Sequence, residues 1–178
     1  EGGLYTYRYA WDNTAVYDLP NGIGMQWFGS ANLPLTPASE GAYYLHLRSY
    51  NGNAIPNPAP VTYGPFWADS TAPTGGSIAV GGIYTHNTSL SITLVGGTDS
   101  GIGVASRVLQ RQETTWTNNV EGGVWSSFTT IATDPASPYT DTLTAGKTYR
   151  YRYVITDYAG NSVTYTSGYK RVVGPIDH

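Results

Sequence analysis

Large side chains alternate with a period of two along the whole chain, and this restricts the fold more than any other feature. Leu4 to Trp11 (LYTYRYAW) sets Tyr5, Tyr7, Tyr9 and Trp11 on one side of an extended backbone. The stretches Ala42 to Arg48 (AYYLHLR), Leu90 to Leu94 (LSITL), Val104 to Gln112 (VASRVLQRQ) and Thr148 to Ile155 (TYRYRYVI) alternate in the same way. No long window carries apolar residues at helical spacing free of Gly, Pro or β-branched runs. Asn-Gly, Gly-Gly and Pro-rich pieces separate the extended runs at spacings of roughly 8–15 residues, the rhythm of short strands in a β-sandwich. The fold class expected is all-β.

Ala68-Asp69-Ser70-Thr71-Ala72-Pro73-Thr74-Gly75-Gly76 marks a boundary, because proline stiffens the crossing and paired glycines redirect the chain. It predicts a first unit over 1–69, a linker over 70–75 and a second unit over 76–178. The two units read as repeats. Gly41 to Arg48 leads through Asn51-Gly52-Asn53 into Val61-Thr62-Tyr63, and Gly146 to Val154 leads through Asp157-Tyr158-Ala159-Gly160-Asn161 into Val163-Thr164-Tyr165. Each is an aromatic strand, a tight turn and a second strand, the pattern of a closing hairpin.

Those residues carry a resemblance. Leu143-Thr144-Ala145-Gly146-Lys147-Thr148-Tyr149 resembles the turn before strand F of fibronectin type III domains, where a leucine and a glycine precede the tyrosine-corner residue. Asp157 to Asn161 resembles the Asp-x-Ala-Gly-Asn turn of bacterial surface immunoglobulin-like and fibronectin type III-like repeats, as found in adhesins and stalks. Thr98 to Val104 resembles the turn that opens strand C in such repeats, and Tyr63 to Phe66 with Asp69 to Pro73 resembles the joint between successive repeats. The likeness spans nearly all of 74–174 but mainly the later part of 1–69, where Asn51-Gly52-Asn53 lacks the aspartate and alanine of the turn. It implies two tandem immunoglobulin/fibronectin III-like sandwich units on the outside of a bacterial cell. Such motifs specify architecture more than activity.

The second unit has a full set of expected strands, near 77–86, 89–95, 104–115, 124–132, 139–143, 148–156 and 162–173. The first has about four, near 4–11, 26–33, 42–50 and 61–68, in ~70 residues where this fold uses ~100. If 4–11 is the equivalent of strand C, the opening strands are missing, leaving core and edges open. Three readings follow: a unit trimmed at its start, a unit completed by a strand from a neighbouring chain, or a compact variant that folds unaided. On the second, Tyr5, Tyr7, Tyr9 and Trp11 are the residues expected to pair with a partner strand.

Composition narrows the function. Nine Lys and Arg against 12 Asp and Glu give a net charge of −3, so there is no basic footprint for nucleic acid. No apolar run is long enough to cross a bilayer as a helix. Cysteine is absent, which removes disulfides and thiolate chemistry. Few lysines with abundant Tyr, Thr, Ser and Gly, and an opening on Glu1 without a leader, read as a piece of an extracellular bacterial protein.

His46, His86 and His178 sit on separate expected elements, and no nucleophile-base or metal-ligand motif accompanies them, so no enzymatic activity and no cofactor are expected. Asp99 and Asp157 lie in turns expected to meet at one end of the sandwich. Turn hydrogen bonding is the first reading of these carboxylates and a calcium ion the second. Trp116 and Trp125, near strand ends, are the candidates for stacking on a sugar. The partners expected are other copies of the chain, neighbouring repeats or a cell-surface polysaccharide. A structural and adhesive repeat module is thus expected, with a carbohydrate-binding or accessory module of a secreted enzyme as the alternative.

Overall fold

The computed structural model describes residues 4–28, 32–117 and 120–174, and the chain divides into two compact units after Ser70. Every regular element among these residues is a strand.

The first unit is a single four-stranded antiparallel sheet. It contains β1 (Leu4–Asp12), β2 (Met25–Trp27), β3 (Gly41–Asn51) and β4 (Val61–Ala68), in the order β2-β1-β3-β4. β1 is interior. It pairs with β3 along its length and with β2 from Tyr7 to Tyr9. β2 therefore takes the edge beside Tyr7 to Tyr9, where a partner strand could enter only by displacing it, and pairs with no other residue of β1. Tyr7, Tyr9 and Trp11 do share one side, as the alternation implied; the side chain of Tyr5 lies outside the described residues.

The register sorts the sheet's side chains. Arg8 lies opposite Arg48, Ala10 opposite His46 and Asp12 opposite Tyr44, all on one face. The segment 13–24 folds over that face. Leu19 is fully buried there, and the ring of Tyr17 packs against His46. Asp18 pairs with Arg48 at 3.0 Å, while Asn21 Oδ1 accepts from the Tyr50 hydroxyl at 3.1 Å. Gly24 closes the segment with φ +92°, and a Cβ there would stand 2.6 Å from the carbonyl oxygen of Tyr9, so only glycine fits. His46 is wholly buried, with Nδ1 2.8 Å from Thr62 Oγ1 and Nε2 3.4 Å from Asp12.

The second unit is a two-layer sandwich. One layer is β11 (Tyr139–Thr142), β7 (Ser89–Thr98) and β5 (Thr74–Ala79), in that order. The other is built on β8 (Val104–Thr117) and β12 (Lys147–Asp157), which pair along their length. β10 (Thr129–Thr133) and β9 (Val120–Gly122) flank β8. On the far side of β12, β13 (Ser162–Thr166) takes one half and β14 (Lys170–Val172) the other, with β6 (Tyr84–Thr85) parallel to β14. Two of the expected strands are therefore each split in two, at 77–86 and 162–173, and the one expected over 124–132 is extended only from Thr129.

With β5, β7 and β11 as strands A, B and E, and β8, β10, β12 and β13 as C, C′, F and G, this is the strand order of a fibronectin type III-like sandwich. Its core lies between the layers. Tyr149, Tyr151, Tyr153 and Ile155 of β12 are at most 1% exposed and pack against Leu90, Ile92 and Leu94 of β7. Burying three such tyrosines contributes several kcal/mol, at ~1.5–3 kcal/mol for a large side chain.

Candidate functional site

The same tyrosine corner occurs in both units, and it aligns the first unit with half of the second. Thr144 N donates to the Tyr149 hydroxyl at 2.8 Å, five residues upstream of the tyrosine. Ala38 N donates to the Tyr43 hydroxyl at 3.0 Å, again five residues upstream, and Ser39 N adds a second bond at 2.9 Å. By this anchor β3 corresponds to β12, β1 to β8, β2 to β10 and β4 to β13. The first unit is thus a C′-C-F-G sheet. The three-stranded layer that covers Tyr149, Tyr151 and Tyr153 in the second unit has no counterpart among the described residues of 1–70.

The consequence is visible on the face that carries Tyr43. Its middle row is Tyr9 opposite Leu47 and Trp11 opposite Leu45, with Trp11 stacked on Tyr43 at 5.1 Å. Tyr9 and Tyr43 are buried by their neighbours, but Leu45 and Leu47, which correspond to the core residues Tyr151 and Tyr153, remain partly exposed. At the rims Met25, Val61, Tyr63 and Phe66 are exposed by 48–58%. The register places no Asp, Glu, Lys or Arg on this face between Tyr7 and Trp11 or their partners.

The second unit's outer face bears a ladder of rings and guanidinium groups. Arg171 lies over Trp116 at 4.5 Å, Tyr169 at 5.8 Å and Tyr84 at 5.9 Å, and pairs with Glu121 at 3.2 Å. Arg150 covers the other side of the ladder over Tyr169, whose ring is 5.7 Å from Trp125. Trp116 is only 8% exposed, so it forms the base of the ladder and not a stacking platform. Trp125 is half-buried, and Tyr169 is the more open ring of that pair at 41%. Tyr84 and Tyr169 carry exposed ring surface that the spacing of the tryptophans did not reveal, since β6 and β14 meet Trp116 only through the fold.

Asp99 and Asp157 come together in space, with carboxylate oxygens within 4.8 Å of each other. Both serve their own turns. Asp99 Oδ2 accepts from Gly101 N and Gly103 N at 2.9 Å each, while Asp157 accepts from Asn161 N and Asn161 Nδ2 at 2.9 Å each. Burial of Asp157 acts to raise its carboxyl, but the bonds from Asn161 and from the amides of Ala159 and Gly160 outweigh it and hold the group below the usual carboxylate range. These are the side-chain-to-backbone bonds of Asx-type turns, the first reading of the two carboxylates. His86 stands apart on the surface, and His178 lies outside the described residues.

No protein-family model and no curated protein matches the chain. Among solved structures, the fibronectin(III)-like modules of CbhA from Clostridium thermocellum align over 100% of this chain and 83% of theirs, at 13% identity and a TM-score of 0.39. A likeness at that level supports nothing by itself. The fold assignment rests on the strand order and the tyrosine corner.

Proposed function

We propose that the chain is a non-enzymatic structural and adhesive repeat module of a bacterial extracellular protein, part of a surface stalk or filament, whose first unit is completed by polypeptide outside residues 1–70. One observation carries this reading: two sheets share a corner and a strand order, yet only the second is covered. A sandwich sheet with aromatic side chains on an uncovered face is an assembly surface, because monomeric proteins rarely keep a contiguous apolar patch of several hundred Å². The absence of cysteine and the low charge content suit a module exposed outside the cell, where the role is mechanical.

An apolar fluorescent dye tests the uncovered face. Dilute protein is expected to bind the dye through the first unit, and a low-specificity protease is expected to digest that unit first, leaving a fragment from near Thr71 onward. Equal resistance of the two units with no dye binding would overturn the reading.

A second reading, a carbohydrate-binding or enzyme-accessory module, is favoured by the Trp125–Tyr169 pair beside Arg150. Alanine at either ring would then abolish retention on a polysaccharide column while leaving the unfolding transition in place. Unchanged retention in both variants would remove it.

A further inference from the structure

We infer that the uncovered face of the first unit is closed by the same face of a second copy of this chain, two four-stranded halves making one eight-stranded sandwich. The inference rests on the reading above and names the occupant. Chemistry restricts that occupant first. Arg8, Arg48, Asp12 and His46 all lie on the opposite face, beneath the segment 13–24, so the open face presents rings and aliphatic groups without formal charge. A charged partner surface would lose its hydration there with nothing to replace it. A second copy brings a surface of identical character, and the two-fold contact it makes is self-complementary and closed.

Geometry decides between covering the face and extending the edge. β4 is the outer strand, and its pairing with β3 shifts register across Gly64 and Pro65, with Tyr43 opposite Phe66 and Leu45 opposite Tyr63. A bulge and a proline on an edge strand interrupt the row of hydrogen-bonding groups that an added strand would need. The face itself has no such obstacle. Two sheets pack with their strands within ~30° and ~10 Å apart, a separation that side chains of this size fill.

Area sets the expected strength. Met25, Val61, Tyr63 and Phe66 are about half exposed, and five further rings and aliphatic groups are partly so. Covering them removes on the order of 600 Å² per copy, or roughly 1,200 Å² in all, the lower bound for a stable specific interface. A reversible dimer in the micromolar range is the expected result.

Light scattering on the full chain, from low to high micromolar concentration, tests this. The mass is expected to rise from 19.1 kDa toward twice that value. Tyr63→Glu and Met25→Glu, at opposite rims of the face, should each weaken the dimer more than tenfold, while Trp67→Ser, exposed on the opposite face, should leave it intact. Circular dichroism of each variant shows whether its sheet is retained, and the two rim positions provide independent readings should one fail to fold. An oligomer unaffected by both rim variants would overturn the inference while leaving the completed-unit reading in place. A monomer that still binds the apolar dye would do the same, pointing to a cover other than a second copy of this face. A monomer that binds no dye would overturn both.

Discussion

Replacing Asp141 with alanine is expected to lower the stability of the second unit by about 3 kcal/mol, the penalty for stripping a partner from a buried charge. Asp141 sits on β11, in the three-stranded layer, and is 7% exposed. Across the core it accepts two bonds from Arg111 Nη1, at 3.0 Å each, and one from the Tyr151 hydroxyl at 2.7 Å. One carboxylate therefore ties β11 to both β8 and β12, joining the two layers of the sandwich. Its removal leaves the phenol without its acceptor and the guanidinium with only the Thr142 carbonyl, at 3.3 Å, and the Glu113 carboxylate, at 3.7 Å. Arg111 keeps a quarter of its side chain in solvent, which holds the penalty at the lower end of the ~3–5 kcal/mol range.

At ~4–8 °C per kcal/mol for a domain of this size, the calorimetric midpoint of the second unit should fall by roughly 15 °C. Asp141→Asn, which keeps an acceptor for Tyr151, should fall less. A drop of only a few degrees for Asp141→Ala would mean that the triad is incidental. The same triad predicts a pH dependence. Burial first, and then the bond to ionised Asp141, raise the Tyr151 phenol above the ordinary tyrosine value of 10.0. The folded state thus favours the neutral phenol, whose contribution is complete below that value and is lost as the pH climbs above it. A midpoint that stays level above pH 10 would contradict this.

How much of this was legible beforehand depends on whether a feature is local in sequence. The alternation of Tyr149, Tyr151 and Tyr153 identified a strand with one core face, and Leu143 to Tyr149 carried the corner, because both are fixed within a few residues. Asp99 and Asp157 were expected to meet because each closes a turn at the same end of neighbouring strands. The first unit was misread where contacts are distant. β1 looked open because the unit is short of the ~100 residues this fold uses, and nothing local showed that the strand expected near 26–33 pairs with it. The segment 13–24 has no alternation at all, and its hold on Arg48 and Tyr50 depends on residues about thirty positions away. Trp116 looked like a platform because Arg171 and Tyr84, which bury it, come from opposite ends of the second unit. The repeated hairpin at 41–48 and 61–63 was the local signal that aligned β3 and β4 with β12 and β13, and the bond from Ala38 N to the Tyr43 hydroxyl extends that match to a C′-C-F-G sheet.

That layout makes Leu19 the residue on which the first unit most depends. Leu19→Ala is expected to unfold the first unit while leaving the second folded. Truncating a fully buried leucine costs ~2–5 kcal/mol, depending on how far the site collapses around the cavity. Leu19 is 0% exposed and packs beside Gly24, the one large apolar side chain that 13–24 buries against the sheet. The remaining ties of that segment are weaker. The Asp18 carboxylate that pairs with Arg48 is 87% exposed, so the bridge contributes little in water. The bonds that the Tyr50 hydroxyl makes with Asn21 and Gly22 N contribute ~1 kcal/mol each at most once exchanged for water.

A single sheet of this length is marginal on its own, so a loss of this size exceeds what it can absorb. Once the segment lifts, His46 and Arg48 lose their cover and the sheet is bare on both faces. Hydrogen exchange should then show β1 and β3 amides exchanging freely in the variant, with β8 and β12 protected as in the parent. Dimerisation through the opposite face should disappear with the sheet, separating this change from Tyr63→Glu, which breaks the pair while leaving β1 and β3 protected. Protection of β3 in the Leu19 variant equal to the parent's would show that the sheet stands without 13–24.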